Sequence, residues 1–582
     1  MRTDLALVML ILGHFIKSEP VISTSSGKLR GVAKNTTNGT VLQFLGVRYA
    51  EPPVGQRRFQ KPEPFLHQNT VFNATEYGPS CIQNILENDK PLLPNIETSE
   101  DCLTLNVFVP RTLKPRESRS IMIWIHGGGF VMGQGSMFDG SEISLRGDVI
   151  VITTNYRLGL LGFLRTEDGA LPGNYGLWDQ RLAIQWVKDN AAAFGGNPTS
   201  ITIFGESAGG NSVFLQSVSL INGGLFQRAI AQSGYSLQRY IPTAASRKTE
   251  TRVSELLNCT SQSDLLICLR SKQSQDILKA QGEVILSFDK TTNNPIFTMQ
   301  VGPVIDGDFL TDSPENLFRE STFRFVDLLA GFNDGDGGGA YFDLMGLEAI
   351  YNFNLSRGIP TNVFCHPVAE ALANQYFPDN SAAANAICDH YTALNDKTGQ
   401  SKAVLEALRD VIFSVYTIGA VDKHGLSNTA GTYLYQFSHT PDWGLIQFRP
   451  SYLVGANHAD DVAFVFGLRT FYPEPYASNI THEEDVLSHA IMDYFTNFAK
   501  NGNPNAKGLP FWPEYRPDDK SYMNINLTTT AGVNLLETSV EFWDTLREKT
   551  RNDAHSNAPM ALLYLFCVAF SIGIGNAGIE LR

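Results

Sequence analysis

Residues 200–210 read Ser200-Ile201-Thr202-Ile203-Phe204-Gly205-Glu206-Ser207-Ala208-Gly209-Gly210, an apolar run that ends in Gly-x-Ser-x-Gly. The run suits a short buried strand, and the small residues after Ser207 suit the first turn of a helix. Between the two the chain must turn so tightly that side chains flanking the serine would collide, so glycine is required on both sides. Such an elbow presents Ser207 at a helix N-terminus, which favours developing negative charge. In a chain with 50 glycines the pentapeptide alone is a weak signal. The strand before it and the helix start after it give it weight.

Upstream, 121–125 (Ile-Met-Ile-Trp-Ile) is a continuous apolar run that stops at His126-Gly127-Gly128-Gly129-Phe130, and 148–154 (Asp-Val-Ile-Val-Ile-Thr-Thr) is a second. Runs of this kind suit strands buried on both faces of a parallel sheet. A helix is expected over 179–194, where Leu182, Ala183, Trp186 and Val187 fall at helical spacing, broken by Gly195-Gly196-Asn197-Pro198. Alternating strand and helix predicts an α/β fold with a mostly parallel central sheet flanked by helices. A serine that adds to an ester carbonyl creates an oxyanion, which backbone N–H groups must stabilise. Gly128, Gly129 and Ala208 are the candidate donors. The plain alternative for 126–130 is a tight turn after a strand.

No repeat or low-complexity tract divides the 582 residues, and 43% are hydrophobic, enough for one large core. The expected division is a signal peptide at 1–18, a catalytic domain at 19–548 and a hydrophobic tail at 549–582. The leader reading rests on Arg2 and an apolar stretch at 5–15 too short to span a bilayer. A net charge of −14 argues against nucleic acid or an anionic membrane as partner. Secretion agrees with sequons at Asn35, Asn38, Asn73, Asn258, Asn354, Asn479 and Asn526. Of seven cysteines, close spacings suggest the pairs Cys81–Cys102, Cys259–Cys268 and Cys365–Cys388, the last left open, with Cys567 the odd one. None has zinc-site spacing, and no metal is expected.

Taken in order, Glu100-Asp101-Cys102-Leu103, His126-Gly-Gly-Gly-Phe130, Asn155-Tyr-Arg-Leu-Gly159, Gly173-Asn-Tyr-Gly176 and Phe204-Gly-Glu-Ser-Ala-Gly-Gly210 resemble the type-B carboxylesterase and cholinesterase family, over about 21–543. The resemblance implies one α/β-hydrolase domain, no cofactor, and a Ser–acid–His triad in that chain order. His458, in Gly455-Ala-Asn-His-Ala-Asp-Asp461, matches the family's histidine loop, although a plain loop histidine is the bland reading. The acid position, glutamate in most members, falls on Asp336 within Gly331-Phe-Asn-Asp-Gly-Asp-Gly337. Aspartate serves equally to orient an imidazole. The branch of bile-salt-activated lipase also uses aspartate there, and is similar again at 303–308 and 458–461. Asp334 is the rival acid. A calcium loop is excluded because Met345 stands where a bidentate glutamate is required. Glu206 and Ser233 match family positions at the site, in either a direct or a supporting role.

Two departures bear on substrate. The stretch between Cys81 and Cys102 has no tryptophan, where cholinesterases place the ring that holds choline. The Pro-rich C-terminal repeats of mammalian bile-salt lipases are absent as well. The leading expectation is a serine esterase acting on a small-molecule or lipid ester. The alternatives are a cholinesterase, or a neuroligin-like adhesion protein of the same fold, which typically lacks the nucleophile. The apolar run at 560–574 is shorter than a bilayer span and fits a lipid-anchor signal imperfectly, so secretion and anchorage on the outer membrane face both stand. Oligomeric state is left open.

Overall fold

The computed structural model describes residues 19–556 except 67, 85–96, 112–117, 235–242, 260–264, 287–300, 321, 341–343, 345–346, 349, 378–379, 394–395, 428, 443–450 and 473–475. The expected signal peptide, the apolar run at 560–574, Cys567 and Met345 lie outside the described residues.

An 11-stranded sheet organises the chain. Its strands are β1 (Val32–Thr36), β2 (Gly39–Arg48), β3 (Thr104–Arg111), β4 (Arg119–Ile125), β5 (Ile150–Thr154), β6 (Gly196–Glu206), β7 (Arg228–Gln232), β8 (Asp327–Asn333), β9 (Thr432–Phe437), β10 (Ser521–Ile525) and β11 (Thr530–Val533). They lie in the order β11-β10-β9-β8-β7-β6-β4-β5-β3-β2-β1. Every pairing from β5 across to β10 is parallel, and the outer pairings are antiparallel. The expected mostly parallel sheet is therefore present.

Both faces are covered, which is why the central strands are apolar without alternation. On β4, Ile121, Ile123 and Ile125 join the core on one face, while Met122 and Trp124 join the core on the other. The first core packs under α1 (Tyr175–Asn190) and α2 (Ala208–Val218). The second lies under α4 (Asp460–Phe466) and α5 (His482–Asn501). A third core gathers apolar side chains between Ala340 and Tyr416 with Trp543 and Leu546 of α6 (Glu537–Ser556). That last helix runs across the expected boundary at 548.

Two elements differ from the sequence reading. The helix expected over 179–194 begins at Tyr175, four residues early, because Asn174 turns the chain at φ +58° and its side-chain amide exchanges two hydrogen bonds with the Val304 backbone. β6 begins at Gly196 and carries Pro198, in a stretch read as a break. The ladder shifts register between Gly196 and Ile201, so the missing proline N–H interrupts no regular pairing.

Disulfides join Cys81 to Cys102, Cys259 to Cys268 and Cys365 to Cys388. Six of the sequon asparagines are exposed, whereas the Asn526 amide is half-buried and donates to the Ser438 carbonyl and hydroxyl.

Candidate active site

Ser207 stands between the end of β6 and the start of α2 with φ +56° and ψ −123°, a conformation costly for a residue with a side chain. A Cβ on Gly205 would sit 2.5 Å from the Ile125 carbonyl oxygen, and one on Gly209 would collide with that same oxygen. The Ser207 N–H donates to the Gln232 carbonyl at 2.9 Å, tying the elbow to β7. The glycine requirement read from the sequence is thus a matter of backbone approach at the neck of the turn.

The 126–135 loop leaves β4 directly opposite. Gly128, Gly129 and Phe130 have successive φ values of +101°, +62° and +64°, and a Cβ on Gly127 would lie 3.1 Å from Ser207 Cβ. Among the described residues, no backbone carbonyl takes the N–H of Gly128, Gly129 or Ala208. So contorted a loop needs external supports, and motifs quoted above provide several. Tyr156 donates its hydroxyl to the His126 carbonyl at 2.9 Å and stacks on the His126 ring at 4.5 Å. The Gly159 N–H donates to the Phe130 carbonyl at 2.8 Å. Asn155 accepts from the Gly135 N–H at 2.8 Å while donating to the Cys102 and Pro79 carbonyls. Burial lowers the His126 pKa to about 4, so this ring is a neutral structural part of the loop.

Asp336 opens the turn after β8 and is fully buried. Its Oδ1 lies 2.9 Å from His458 Nδ1, and its Oδ2 accepts from the Ser233 hydroxyl and the Asn333 N–H, each at 2.8 Å. Acid loop and histidine loop are laced together: Gly335 N–H to the Ala456 carbonyl at 2.9 Å, Ala456 N–H to Asp334 Oδ1 at 2.6 Å, and Asn333 Nδ2 to the Asn457 carbonyl at 2.6 Å. Asp334, the rival acid, therefore faces the Ala456 amide. Burial raises its pKa to about 6.

The imidazole of His458 meets a carboxylate on each nitrogen, since Nε2 lies 3.1 Å from Glu206 Oε1. The Phe413 ring lies 4.6 Å from the imidazole, centroid to centroid, tilted by 34°. Phe413 comes from a π-helical turn, Asp410–Ser414, inserted between α3 (Lys397–Arg409) and the helix Val415–Gly425. Buried Asp410 holds that turn, accepting from Arg409 Nε, Ser414 Oγ and the Tyr391 hydroxyl, which in turn accepts from Trp543 Nε1 of α6. Arg409 Nη1 also donates to the Asp334 carbonyl at 3.3 Å.

The sequence-predicted residues are thus brought to one place. Asp336 and His458 touch directly, Ser207 adjoins the Glu206 that touches His458, and Gly128, Gly129 and Ala208 flank the elbow. Phe413 and Asp410 carry no signal in the sequence, because neither sits in a spaced motif. Asp461 was seen only as part of the histidine motif. It is buried, its pKa is raised by desolvation, and it accepts from Gln232, Tyr435 and Asn333.

The sequence profile of the carboxylesterase family matches residues 18–543. The chain belongs to that family. It is similar to carboxylesterase 1D of Mus musculus, 35% identical over 551 residues, 91% of this chain and 94% of the relative. It is also similar to a medium-chain fatty acyl-CoA hydrolase precursor of Anas platyrhynchos, 34% identical over 92% of this chain and 94% of that one. This carboxylesterase has the α/β-hydrolase fold and is a carboxylic ester hydrolase.

Proposed function

We propose that Ser207, Asp336 and His458 form the catalytic triad and that Gly128, Gly129 and Ala208 donate to the oxyanion. Ser207 Oγ adds to the ester carbonyl while His458 Nε2 takes its proton. The carbonyl oxygen, now negative, is received by the three backbone N–H groups. Asp336 holds the tautomer with the proton on Nδ1 and, with Glu206, stabilises the imidazolium. The proton passes to the leaving alcohol, and a water deprotonated by His458 then releases the acid and restores Ser207. The observation that carries this reading is the 2.9 Å contact of Asp336 Oδ1 with His458 Nδ1 beside a serine at φ +56°.

The substrate is a neutral carboxylic ester with a small or lipid acyl group. A thioester is within reach of the same steps, in keeping with the relative named an acyl-CoA hydrolase. Three disulfides support maturation in the secretory pathway. The tail at 549–582 is either a removable anchor signal or a plain secreted end. Intact mass after deglycosylation, with phosphatidylinositol-specific phospholipase applied to expressing cells, separates the two.

Ser207→Ala tests the core of the reading. A folded protein retaining only about 10³–10⁴ over the water rate is expected, with organophosphate labelling the native chain at Ser207 alone. Near-normal turnover by the variant, or a label elsewhere, overturns it.

A further inference from the structure

Gln83 lies two residues beyond Cys81 and is 5% exposed. Its carboxamide grips one residue of the oxyanion loop by both backbone groups. The Gly133 N–H donates to Oε1 at 2.8 Å, and Nε2 donates to the Gly133 carbonyl at 2.9 Å. The second proton on Nε2 goes to the Cys81 carbonyl at 3.1 Å. Flipping the amide would set oxygen against two carbonyls, so the orientation is fixed by chemistry. The pairing is that of a one-residue β-ladder made by a side chain.

The grip matters because of where Gly133 sits. Its φ is +113°, and a Cβ there would collide with the His126 ring and the Gly127 carbonyl, so no other residue fits and the loop folds back on its own start. Between those ends run Gly128, Gly129 and Phe130 in the left-handed region. Such a conformation persists only when its surroundings over-determine it. Tyr156 and Gly159 hold its first half; Gln83 holds the return. Removing the Gln83 amide would also leave the half-buried Gly133 N–H and C=O without these partners.

We infer that Gln83 is a positioning residue for ester hydrolysis: through Gly133 it aims the Gly128 and Gly129 N–H groups at the oxyanion, making the stem of the Cys81–Cys102 loop part of the transition-state machinery. The inference rests on the reading of those groups as oxyanion donors. Because the oxyanion exists only in the tetrahedral state, the clamp acts on kcat and leaves ground-state binding alone.

The test compares the full-length wild type with Gln83→Met, which keeps length and loses the amide, and Gln83→Glu. Two probes are used: a trifluoromethyl ketone, whose tetrahedral adduct carries an oxyanion, and the parent methyl ketone. The expected result is a fall in kcat of about 10- to 100-fold, short of the loss of a whole donor, with KM within about two-fold. Affinity for the trifluoromethyl ketone should fall in parallel and that for the methyl ketone should hold. In Gln83→Glu the ratio of variant to wild-type kcat should climb toward acid pH, because the protonated carboxyl regains a donor for the Gly133 carbonyl. That internal rescue keeps the test meaningful where Gln83→Met folds poorly. Unchanged kcat and trifluoromethyl ketone affinity in both variants, or a flat pH ratio, overturns the clamp. If the wild type itself binds the trifluoromethyl ketone no better than the methyl ketone, the oxyanion reading fails instead.

Discussion

Ser233 donates its hydroxyl to Asp336 Oδ2 at 2.8 Å, on the oxygen that His458 leaves free. Together with the Asn333 N–H it fixes the rotation of a fully buried carboxyl group. A hydrogen bond to a buried ion contributes about 1.5–3 kcal/mol. Ser233→Ala should therefore lower kcat by roughly 10- to 100-fold with KM little changed, read by steady-state kinetics on one ester. An unaltered kcat would show that the Asn333 amide alone suffices.

Asp336→Asn should be far worse, about 10⁴ in kcat, because the amide imposes the wrong imidazole tautomer. Asp334→Asn should stay within a few-fold, since an amide oxygen still accepts from the Ala456 N–H. Reversed magnitudes would make Asp334 the acid.

Asp334 also has a signature in stability. Burial raises its folded pKa to about 6, above the ~3.9 of an unfolded aspartate. Between those values the folded chain keeps a proton that the unfolded chain has lost, so this group's contribution to stability declines as pH rises from ~4 to ~6. The neutral Asp334→Asn side chain has no such term. Denaturation across pH should show the variant gaining on the wild type through that window, by about 1–3 kcal/mol once above it. A wild type that gains instead would mean the ionised carboxylate is stabilising.

The turn after Asp336 is glycine for want of room. A Cβ on Gly337 would collide with the Leu405 carbonyl, and one on Gly339 would come within 2.9 Å of His458 Cγ. Gly337→Ala pushes on backbone and should cost at least about 1–3 kcal/mol of stability, visible as a lowered unfolding midpoint. A variant as stable as the wild type would mean that α3 yields there.

Choline esters should be hydrolysed no faster than neutral esters of equal acyl length, given the absence of tryptophan between Cys81 and Cys102. A strong preference for choline that survives high salt would contradict this.

The elbow, the strands β4 and β5 and the histidine loop were legible in sequence because each is dictated locally, by a turn that admits only glycine or a strand buried on both faces. Pro198 misled because a register shift absorbs what a lone proline normally breaks. Gln83 and Asn174 left no trace because each acts by a side chain reaching a distant backbone. Gln83 is 50 residues from Gly133, and Asn174 is 130 from Val304. Such partners are set by how layers meet, and no spacing rule encodes them.

The path from Trp543 through Tyr391 to Asp410 and the Phe413 turn limits how far the chain can be shortened from its C-terminal side. No residue of the proposed triad lies beyond His458, yet the wall against its imidazole is moored to a tryptophan 85 positions later. A chain clipped anywhere in the hydrophobic end keeps that mooring intact. One clipped before residue 543 loses it, together with the Leu546 contact to the third core. The C-terminal helix is thus a structural support of the histidine's surroundings as well as an end of the chain.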